Sequence, residues 1–395
     1  MKEIVFIDIN LDVMGGVERI INTLANSLVN EYQVKVISLF KTTNEPHFEY
    51  NDKVQYTYFY DKTNLLSKKF QNFKLIYFPL FLFEKVIQKL SIKIKTYATA
   101  KKFNSNQIVV FGRVSATVDF LKIIKNNIKI VVRDAIHLKY TEYFNPELYW
   151  VLKEQFPNKV NKLIVSSDES INNYNDFFKG SVDIIKIYNP LGIEPKNGLS
   201  NNKVVLSMGR YSSQKGYENL VLAWKNVSLK YSDWTLKIVG INESDECHTV
   251  LSNINSIISQ NNIGNILLSS ATKDVVEELV NSSIYVVPSR YEGYANSLVE
   301  ALACGLPSIS YNWYLGVDDI IKHNINGLVV PLKDRYKYMV SDEIDEFDVE
   351  NLSKAIIELI ENEKLRERFK REALNIIDSR NRENIVNQWK ETILK

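Results

Sequence analysis

The sequence has few of the residues that build metal centres or disulfide frameworks. Its 395 residues contain two cysteines, Cys247 and Cys304, and four histidines that do not cluster, and no Asp-x-Asp pair occurs. Two isolated cysteines argue against a disulfide framework and favour a reducing, cytoplasmic setting. Because the residue types that bind metals are scattered, we expect neither a metal nor another cofactor.

Long apolar runs and a strong excess of charge are also missing. No stretch of about 18 apolar residues occurs, so the sequence predicts no transmembrane helix. The first residues read as a strand with the acidic Glu3 and Asp8, and we therefore expect no signal peptide. The formal net charge is +2, which gives no support for nucleic-acid binding.

Apolar strands that alternate with helical segments predict two α/β domains with parallel sheets. A chain of 395 residues has room for about two domains. The turn-rich segment 191–202 separates two runs of this pattern, so we expect domains over 1–190 and 198–379. The second run includes a predicted charged loop over 332–348, and the chain ends in a predicted helix within 380–395.

The stretch 288–310 carries the most informative pattern. A β-branched strand leads into a loop with Glu292, and a helix is predicted from Ser297, which forms a capping-box pattern with Glu300. The N–H groups and dipole of a helix N-terminus favour anions. The two carboxylates, which are separated by seven residues, are expected to face a neutral, hydroxyl-rich part of the ligand. The stretch therefore indicates a phosphorylated sugar or a nucleotide as ligand.

Two cations, Arg210 and Lys215, share a predicted loop after the strand at 204–208. An arginine can bind a diphosphate through its bidentate fork, and a lysine can add a point charge. Taken alone, two solvated surface charges would be the simpler interpretation.

Loops of the first half also contain candidate residues. Gly15 and Gly16 precede a helix, where they allow either a tight turn or close backbone approach to a ligand. They do not form a Gly-x-Gly-x-x-Gly fingerprint, so a dinucleotide cofactor is disfavoured. His137 follows a predicted strand at 128–132, at the edge where α/β folds bind ligands, although a lone histidine is more often structural.

The segment 62–102 is unusually basic, with ten lysines and a single acidic residue, Glu84. An aromatic run over 75–83 lies between the lysines and is interrupted by Pro79. This pattern favours a membrane-surface element or, about equally, a core helix with a lysine-rich solvated face. Nucleic-acid binding is a weaker third interpretation.

These motifs together resemble the family 4 glycosyltransferases, which are retaining, nucleotide-sugar-dependent enzymes with the GT-B fold. The similarity covers most of the chain and is strongest from 203 to 331. The matching motifs are Gly15-Gly16-x-Glu18-Arg19, Tyr188-Asn189-Pro190, Gly209-Arg210 with Lys215-Gly216, Pro288-Ser289 with Glu292-Gly293, Glu300-Ala301 with Cys304-Gly305-Leu306-Pro307, and Asn326-Gly327-Leu328.

The resemblance implies two Rossmann-like domains that face each other across a cleft. The first would bind the acceptor, and the last helix would pack back onto it, while the second would bind the nucleotide sugar. Catalytic roles are implied for Glu292, His137, Arg210 and Lys215. Donor contacts are implied for Gly16, Arg210, Lys215, Glu292, Asn296, Ser297, Leu298, Val299 and Glu300.

Two motifs depart from the family pattern. Tyr294-Ala295-Asn296 stands where many members have Phe-Gly, which implies a different loop near the sugar. The order Arg133-Asp134-x-x-His137 stands where many have His-Asp, so Arg133 competes with His137 for the role of the first-domain residue.

The resemblance therefore implies transfer of a sugar from an NDP-sugar, preferably a UDP-sugar, to a hydroxyl of a saccharide, with retention and without a metal. The basic segment favours a lipid-linked acceptor in capsule, exopolysaccharide or O-antigen synthesis, at the cytoplasmic face of a membrane. The main alternative is a catalytically silent partner subunit that binds glycan or stabilises another transferase. An epimerase or phosphorylase of the same fold and a nucleotide-dependent oxidoreductase are further alternatives.

Overall fold

A computed structural model describes most of the chain. The described residues are 2–13, 15–63, 65, 73–125, 127–134, 138–197, 202–241, 244–313 and 316–394. Internal contacts divide the chain into two compact units. The first consists of Met1–Ser166, Ile171–Ile187 and Val386–Lys395, and the second of Ser167–Ser170 and Tyr188–Ile385.

Strands and helices alternate along the chain, as the sequence predicts. The strands are β1 (Glu3–Asn10), β2 (Gln33–Lys41), β3 (Gln55–Asp61), β4 (Gln107–Phe111), β5 (Lys129–Arg133), β6 (Lys162–Val165), β7 (Asp183–Lys186), β8 (Val204–Arg210), β9 (Thr235–Ile241), β10 (Ile266–Ser270), β11 (Ile284–Val287), β12 (Ser308–Tyr311) and β13 (Gly327–Val330). The α-helices are α1 (Gly16–Leu28), α2 (Lys74–Lys102), α3 (Val118–Leu121), α4 (Leu138–Phe144), α5 (Pro146–Lys159), α6 (Asp168–Phe178), α7 (Tyr217–Lys230), α8 (Asp245–Gln260), α9 (Val275–Val280), α10 (Asn296–Ala303), α11 (Arg335–Val340), α12 (Glu346–Glu361), α13 (Glu363–Ala373), α14 (Ile376–Ser379) and α15 (Arg382–Leu394). Short 3-10 helices lie at Val114–Ala116, Ser213–Lys215 and Val317–Asp319.

Each unit contains one parallel sheet, and the two sheets share a central strand order. The first sheet has the order β3-β2-β1-β4-β5-β6-β7, and the second has the order β10-β9-β8-β11-β12-β13. In each sheet the chain starts at a central strand, builds one side outward, and then returns to build the other side. This is the doubly wound topology of Rossmann-like domains, so the predicted α/β fold class is confirmed.

The central strands are buried on both faces, which explains their continuous apolar sequences. In β1, the side chains from Ile4 to Ile7 are at most 1% exposed. Ile4 lies opposite Val34 of β2 and Ile108 of β4, so branched side chains meet across the middle of the sheet. Helices cover both faces of such a sheet and exclude water from it.

The prediction of a charged loop over 332–348 is wrong, because this segment contains α11. The carboxylate of Asp334 accepts hydrogen bonds from the amides of Tyr336 and Lys337, both at 2.9 Å, and so caps the helix. An aspartate at this position stabilises a short helix even in a charged sequence.

Residues 74–102 of the basic segment form the long helix α2, which continues through Pro79. No helix within the described ranges is both long enough and apolar enough to cross a bilayer.

Candidate active site

The candidate site lies at the carboxyl ends of β8 and β11, where the second sheet changes direction. These two strands are neighbours, but the chain leaves them toward opposite sides of the sheet. Their loops therefore separate and leave a crevice, the usual ligand site of such folds. The loops contain Lys215 after β8 and Glu292 after β11.

Glu292 is a buried, well-oriented carboxylate. Its side chain is 7% exposed and that of Lys215 is 18% exposed. The Oε1 atom of Glu292 accepts hydrogen bonds from Lys215 Nζ at 2.6 Å and from Ser289 Oγ at 2.7 Å. The Nε2 atom of Gln214 lies 3.5 Å from Oε2. The two residues predicted to act on the donor thus form one ion pair at the mouth of the crevice.

Gly216 allows the two loops to approach each other. The 3-10 turn Ser213–Lys215 ends at Gly216, which has a φ of 63°. A Cβ atom at Gly216 would lie 2.3 Å from the carbonyl oxygen of Pro288. Only glycine suits both this left-handed backbone and this close contact, so it fixes the position of the Lys215 turn.

Arg290 was not recognised from the sequence, although it organises the same loops. Its guanidinium is 3% exposed and donates to the carbonyl oxygens of Ser213 at 3.0 Å, Ser341 at 2.5 Å and Tyr338 at 3.3 Å. It also lies 5.0 Å from the centroid of the Tyr338 ring. Arg290 therefore connects the Lys215 turn to the segment that follows α11.

Arg210 is the last residue of β8, and its side chain is exposed. Within the described ranges its guanidinium has no recorded hydrogen bond or ion pair. It therefore supplies a second cation at the carboxyl edge of the sheet, beside the Lys215 turn.

The predicted N-cap of the helix in 288–310 is wrong. Helix α10 begins at Asn296, its N-cap is Ala295, and no side chain forms the capping hydrogen bond. Ser297 therefore lies inside the first turn. Asn296 instead accepts a hydrogen bond at its side-chain Oδ1 from Nδ2 of Asn189, at 2.9 Å. With this tertiary contact, the N-cap lies two residues before the one that the local pattern predicts.

The first-turn amides of α10 differ in what they can offer to an anion. The amides of Leu298 and Val299 both donate to the carbonyl oxygen of Ala295, at 3.0 and 3.1 Å. Their side chains are buried in the core of the second unit. Among the described residues, the Ser297 amide has no backbone hydrogen-bond partner. It is therefore the first-turn amide best placed to donate to a ligand.

Glu300 lies one turn later on α10 and is also buried, at 6% exposure. Burial is the main cause that raises the pKa of the nearby Tyr285 hydroxyl. A hydrogen bond with Ser297 opposes this rise, and the charge of Glu300 adds to it. Glu300, Ser297 and the Tyr285 hydroxyl therefore form one polar group behind the start of α10.

Arg380 supports the start of α10 from the end of the second unit and was also missed from the sequence. Its guanidinium lies 3.3 Å from the centroid of the Tyr188 ring, and its Nε donates to the Tyr294 hydroxyl at 2.5 Å. Tyr188 precedes Asn189, which binds Asn296. The Tyr188-Asn189 motif therefore fixes the loop between Glu292 and α10.

The Gly15-Gly16 motif of the first unit lies at the start of α1, whose first residue is Gly16. Nearby, Arg113 Nε donates to Asp8 Oδ1 at 2.6 Å, and its guanidinium also pairs with Glu18. Burial raises the pKa of Glu18, and Arg113 opposes this rise. Asp8 belongs to β1 and Arg113 follows β4, so this cluster lies at the point where the first sheet changes direction.

His137 lies outside the described residues, as do 135 and 136, and its catalytic role stays a prediction. Its competitor Arg133 ends β5 and is 4% exposed. The neighbouring Asp134 is buried and accepts a hydrogen bond from the hydroxyl of Tyr174.

The cationic groups of the site are suited to an anion. In the described part of the chain no group of three or more His, Cys, Asp or Glu side chains could hold a metal. The lysine, the arginine and the amide of Ser297 are instead groups that bind phosphate oxygens.

Comparisons with known proteins agree with this geometry. Residues 193–375, which lie within the second unit, match the sequence model of the family described as glycosyl transferases group 1. An uncharacterized glycosyltransferase of Haemophilus influenzae is 27% identical over 393 residues, which cover 99% of each chain.

Two solved structures have similar folds. Sucrose-phosphate synthase from Thermosynechococcus elongatus has a TM-score of 0.75 at 16% identity, over 99% of this chain and 98% of that one. A mutant of TarM from S. aureus, solved with fondaparinux, alpha-GlcNAc-glycerol and UDP, has a TM-score of 0.74 at 15% identity over 100% of both chains. These likenesses confirm the predicted pair of Rossmann-like domains of the GT-B class.

Proposed function

We propose a reaction for this chain on the premise that it is a glycosyltransferase, since its residues 193–375 match the family model of glycosyl transferases group 1. The chain transfers a sugar from a UDP-sugar to a hydroxyl of a saccharide acceptor, with retention of the anomeric configuration. The observation that carries this proposal is the Lys215–Glu292 pair in the crevice of the second sheet. The UDP in the TarM structure supports uracil as the base of the donor.

The cations of the site suit the diphosphate of the donor. Lys215 and Arg210 neutralise the charge that develops as the diphosphate leaves, and the Ser297 amide donates to a phosphate oxygen. When the diphosphate enters, Lys215 exchanges part of its contact with Glu292 for phosphate oxygens. Glu292 then becomes free to accept hydrogen bonds from hydroxyls of the sugar.

The remaining predicted residues complete the donor site. Glu300 accepts hydrogen bonds from the ribose hydroxyls, and Asn296 lies beside the sugar. The side chains of Leu298 and Val299 shape the helix that carries these groups. Gly16 and His137 of the first unit stay predictions from the family resemblance.

The proposed chemistry needs no protein nucleophile. The bond between the anomeric carbon and the β-phosphate oxygen breaks, and the acceptor oxygen bonds to that carbon on the same face. The proton of the acceptor hydroxyl passes to the departing phosphate oxygen. Lys215 and Arg210 stabilise the diphosphate in this step, without a metal.

For the acceptor we propose a lipid-linked saccharide of a cell-surface polymer, at the cytoplasmic face of a membrane. The basic, aromatic segment 62–102 supports this location. The alpha-GlcNAc-glycerol in the TarM structure supports a polyol or saccharide hydroxyl as the acceptor group.

The configuration of the product tests the reaction. With a UDP-sugar whose anomeric bond is α, we expect the first product to have an α-glycosidic bond, measured by proton NMR coupling constants during turnover. A β-linked first product would contradict retention. No turnover with a panel of UDP-sugars and saccharide acceptors would favour the silent-subunit alternative.

A further inference from the structure

Helix α2 has an apolar stripe on its outward face. Five side chains recur at spacings of three or four residues, which places them on one side of the helix. Their exposed fractions are 61% for Phe83, 63% for Val86, 57% for Leu90, 58% for Ile94 and 49% for Tyr97. At 1.5 Å per residue the stripe is about 21 Å long. We call this surface the α2 stripe.

The shielded side of α2 is not purely apolar. It carries Glu84, Gln88 and Thr96 together with Leu80, Phe81, Ile92 and Ala100. A surface helix normally buries its apolar face and exposes its polar face. Because α2 also exposes a continuous apolar stripe, the fold leaves that stripe for another partner.

Lysines lie on both sides of the α2 stripe. Lys89 and Lys93 line one edge, Lys102 lies on the other side, and these three lysines are exposed. Lys95 is instead turned toward the first unit, where its Nζ atom donates to the carbonyl oxygen of Phe59. The Nζ atom of Lys101 lies 4.3 Å from the centroid of the Tyr97 ring. The surface thus combines a central apolar stripe with cationic edges.

We propose that the α2 stripe docks the protein on an anionic phospholipid bilayer. The helix lies in the plane of the interface, the stripe enters the boundary of the acyl chains, and the lysines meet the headgroups. The positive edges argue against a second copy as partner, because a two-fold contact would bring like charges together. This inference rests on the membrane location in the proposed function and deepens it, because it names the docking surface and the class of lipid. It does not depend on the transfer reaction, since docking needs neither donor nor acceptor.

Vesicle binding of the full chain tests the apolar part of the surface. We expect co-sedimentation with vesicles of phosphatidylcholine and phosphatidylglycerol, weakened by salt, and little with phosphatidylcholine alone. The variant Leu90→Gln/Ile94→Gln should lower the partition coefficient about 10- to 100-fold, from the loss of apolar burial. The matched control is Leu229→Gln/Ile325→Gln, which changes exposed residues of the second unit and should bind as the wild type does.

Charge reversal tests the cationic edges. We expect Lys89→Glu/Lys93→Glu to weaken binding to the anionic vesicles about 30-fold, from the attraction of basic residues to an anionic surface. The control Lys322→Glu/Lys364→Glu makes the same charge change at exposed positions of the second unit. Circular dichroism and thermal unfolding confirm that each variant is folded before binding is compared.

A site-specific dye reports the docking face directly. Cys247 and Cys304 are both buried, so a dye on Ile87→Cys labels the edge of the stripe selectively. Its emission should shift to the blue on anionic vesicles, whereas the same dye on Leu229→Cys should not shift.

Equal vesicle binding by the stripe variants and the wild type would overturn the proposal. It would also be overturned if the wild type did not bind the vesicles, or if it were a dimer that Leu90→Gln/Ile94→Gln dissociates. Because no donor is present, these results are independent of the transfer reaction.

Discussion

Lys215→Ala should lower kcat about 100- to 1000-fold, the usual effect of removing one preorganised group that stabilises developing charge. Lys215 is 2.6 Å from Glu292 and lies in the crevice where we place the diphosphate. Without it, the leaving group retains Arg210 and the Ser297 amide but loses its less exposed cation. Initial rates with a UDP-sugar at saturating acceptor measure this effect.

The same substitution should also destabilise the protein, and a second substitution separates the two effects. Lys215→Ala leaves the buried Glu292 carboxylate without its cation, which costs about 3 kcal/mol of unfolding free energy. Lys215→Ala/Glu292→Gln should recover most of that stability, because a neutral amide needs no cation. Its activity should stay low, because both donor contacts are lost.

A surface lysine in the same unit provides the control. Lys337 forms an ion pair with Glu343 at 2.9 Å, but both side chains are more than half exposed. Lys337→Ala should change the unfolding free energy by less than about 0.5 kcal/mol and leave the rate unchanged. If Lys215→Ala were as active as this control, the donor site would be misassigned.

Arg290→Ala should produce the largest loss of stability in the second unit, about 3 to 5 kcal/mol. The guanidinium is buried and donates to carbonyl oxygens of four residues, Ser213, Tyr338, Ser341 and Asp342. Truncation leaves these acceptors without a donor and removes the connection to the Lys215 turn. Urea unfolding measures the loss, and Arg290→Lys should recover less than half of it, since an ammonium cannot span these carbonyls.

Hydrogen exchange distinguishes a positioning role of Arg290 from a general loss of stability. We expect faster exchange at 213–216 and 338–342 in a folded Arg290→Lys variant, with α10 unchanged. The control Arg368→Ala removes an exposed arginine that donates to the Asn324 carbonyl at 3.1 Å, and it should alter neither segment. Equal exchange in Arg290→Lys and the wild type would contradict the positioning role.

The sequence predicted the fold class because its strands are continuous apolar runs that alternate with helices. It also grouped Lys215 with Glu292, which are 77 positions apart, through their places in loops that follow strands and through the resemblance to a family. The ion pair itself was not predicted, since nothing in a linear pattern shows which charged groups touch.

Other parts of the site depend on tertiary contacts that a local pattern does not show. The capping pattern of Ser297 and Glu300 was overridden by the contact between Asn189 and Asn296. In the sequence, Arg290 is an ordinary arginine in a loop. Its partners Tyr338 and Ser341 lie about 50 residues later and are brought to it only by the fold. On α2, apolar residues occur all around the helix, so the sequence alone does not show which face is turned outward.

A calorimetric titration with UDP tests most directly whether the crevice is the donor site. The wild type should bind UDP, and Lys215→Ala/Glu292→Gln should bind it about 10- to 100-fold more weakly. This factor corresponds to the binding free energy of one charge-assisted hydrogen bond. This variant is the right comparison because its stability is expected to stay close to that of the wild type. Equal affinity for UDP in the two proteins would contradict a nucleotide site at Lys215 and Glu292.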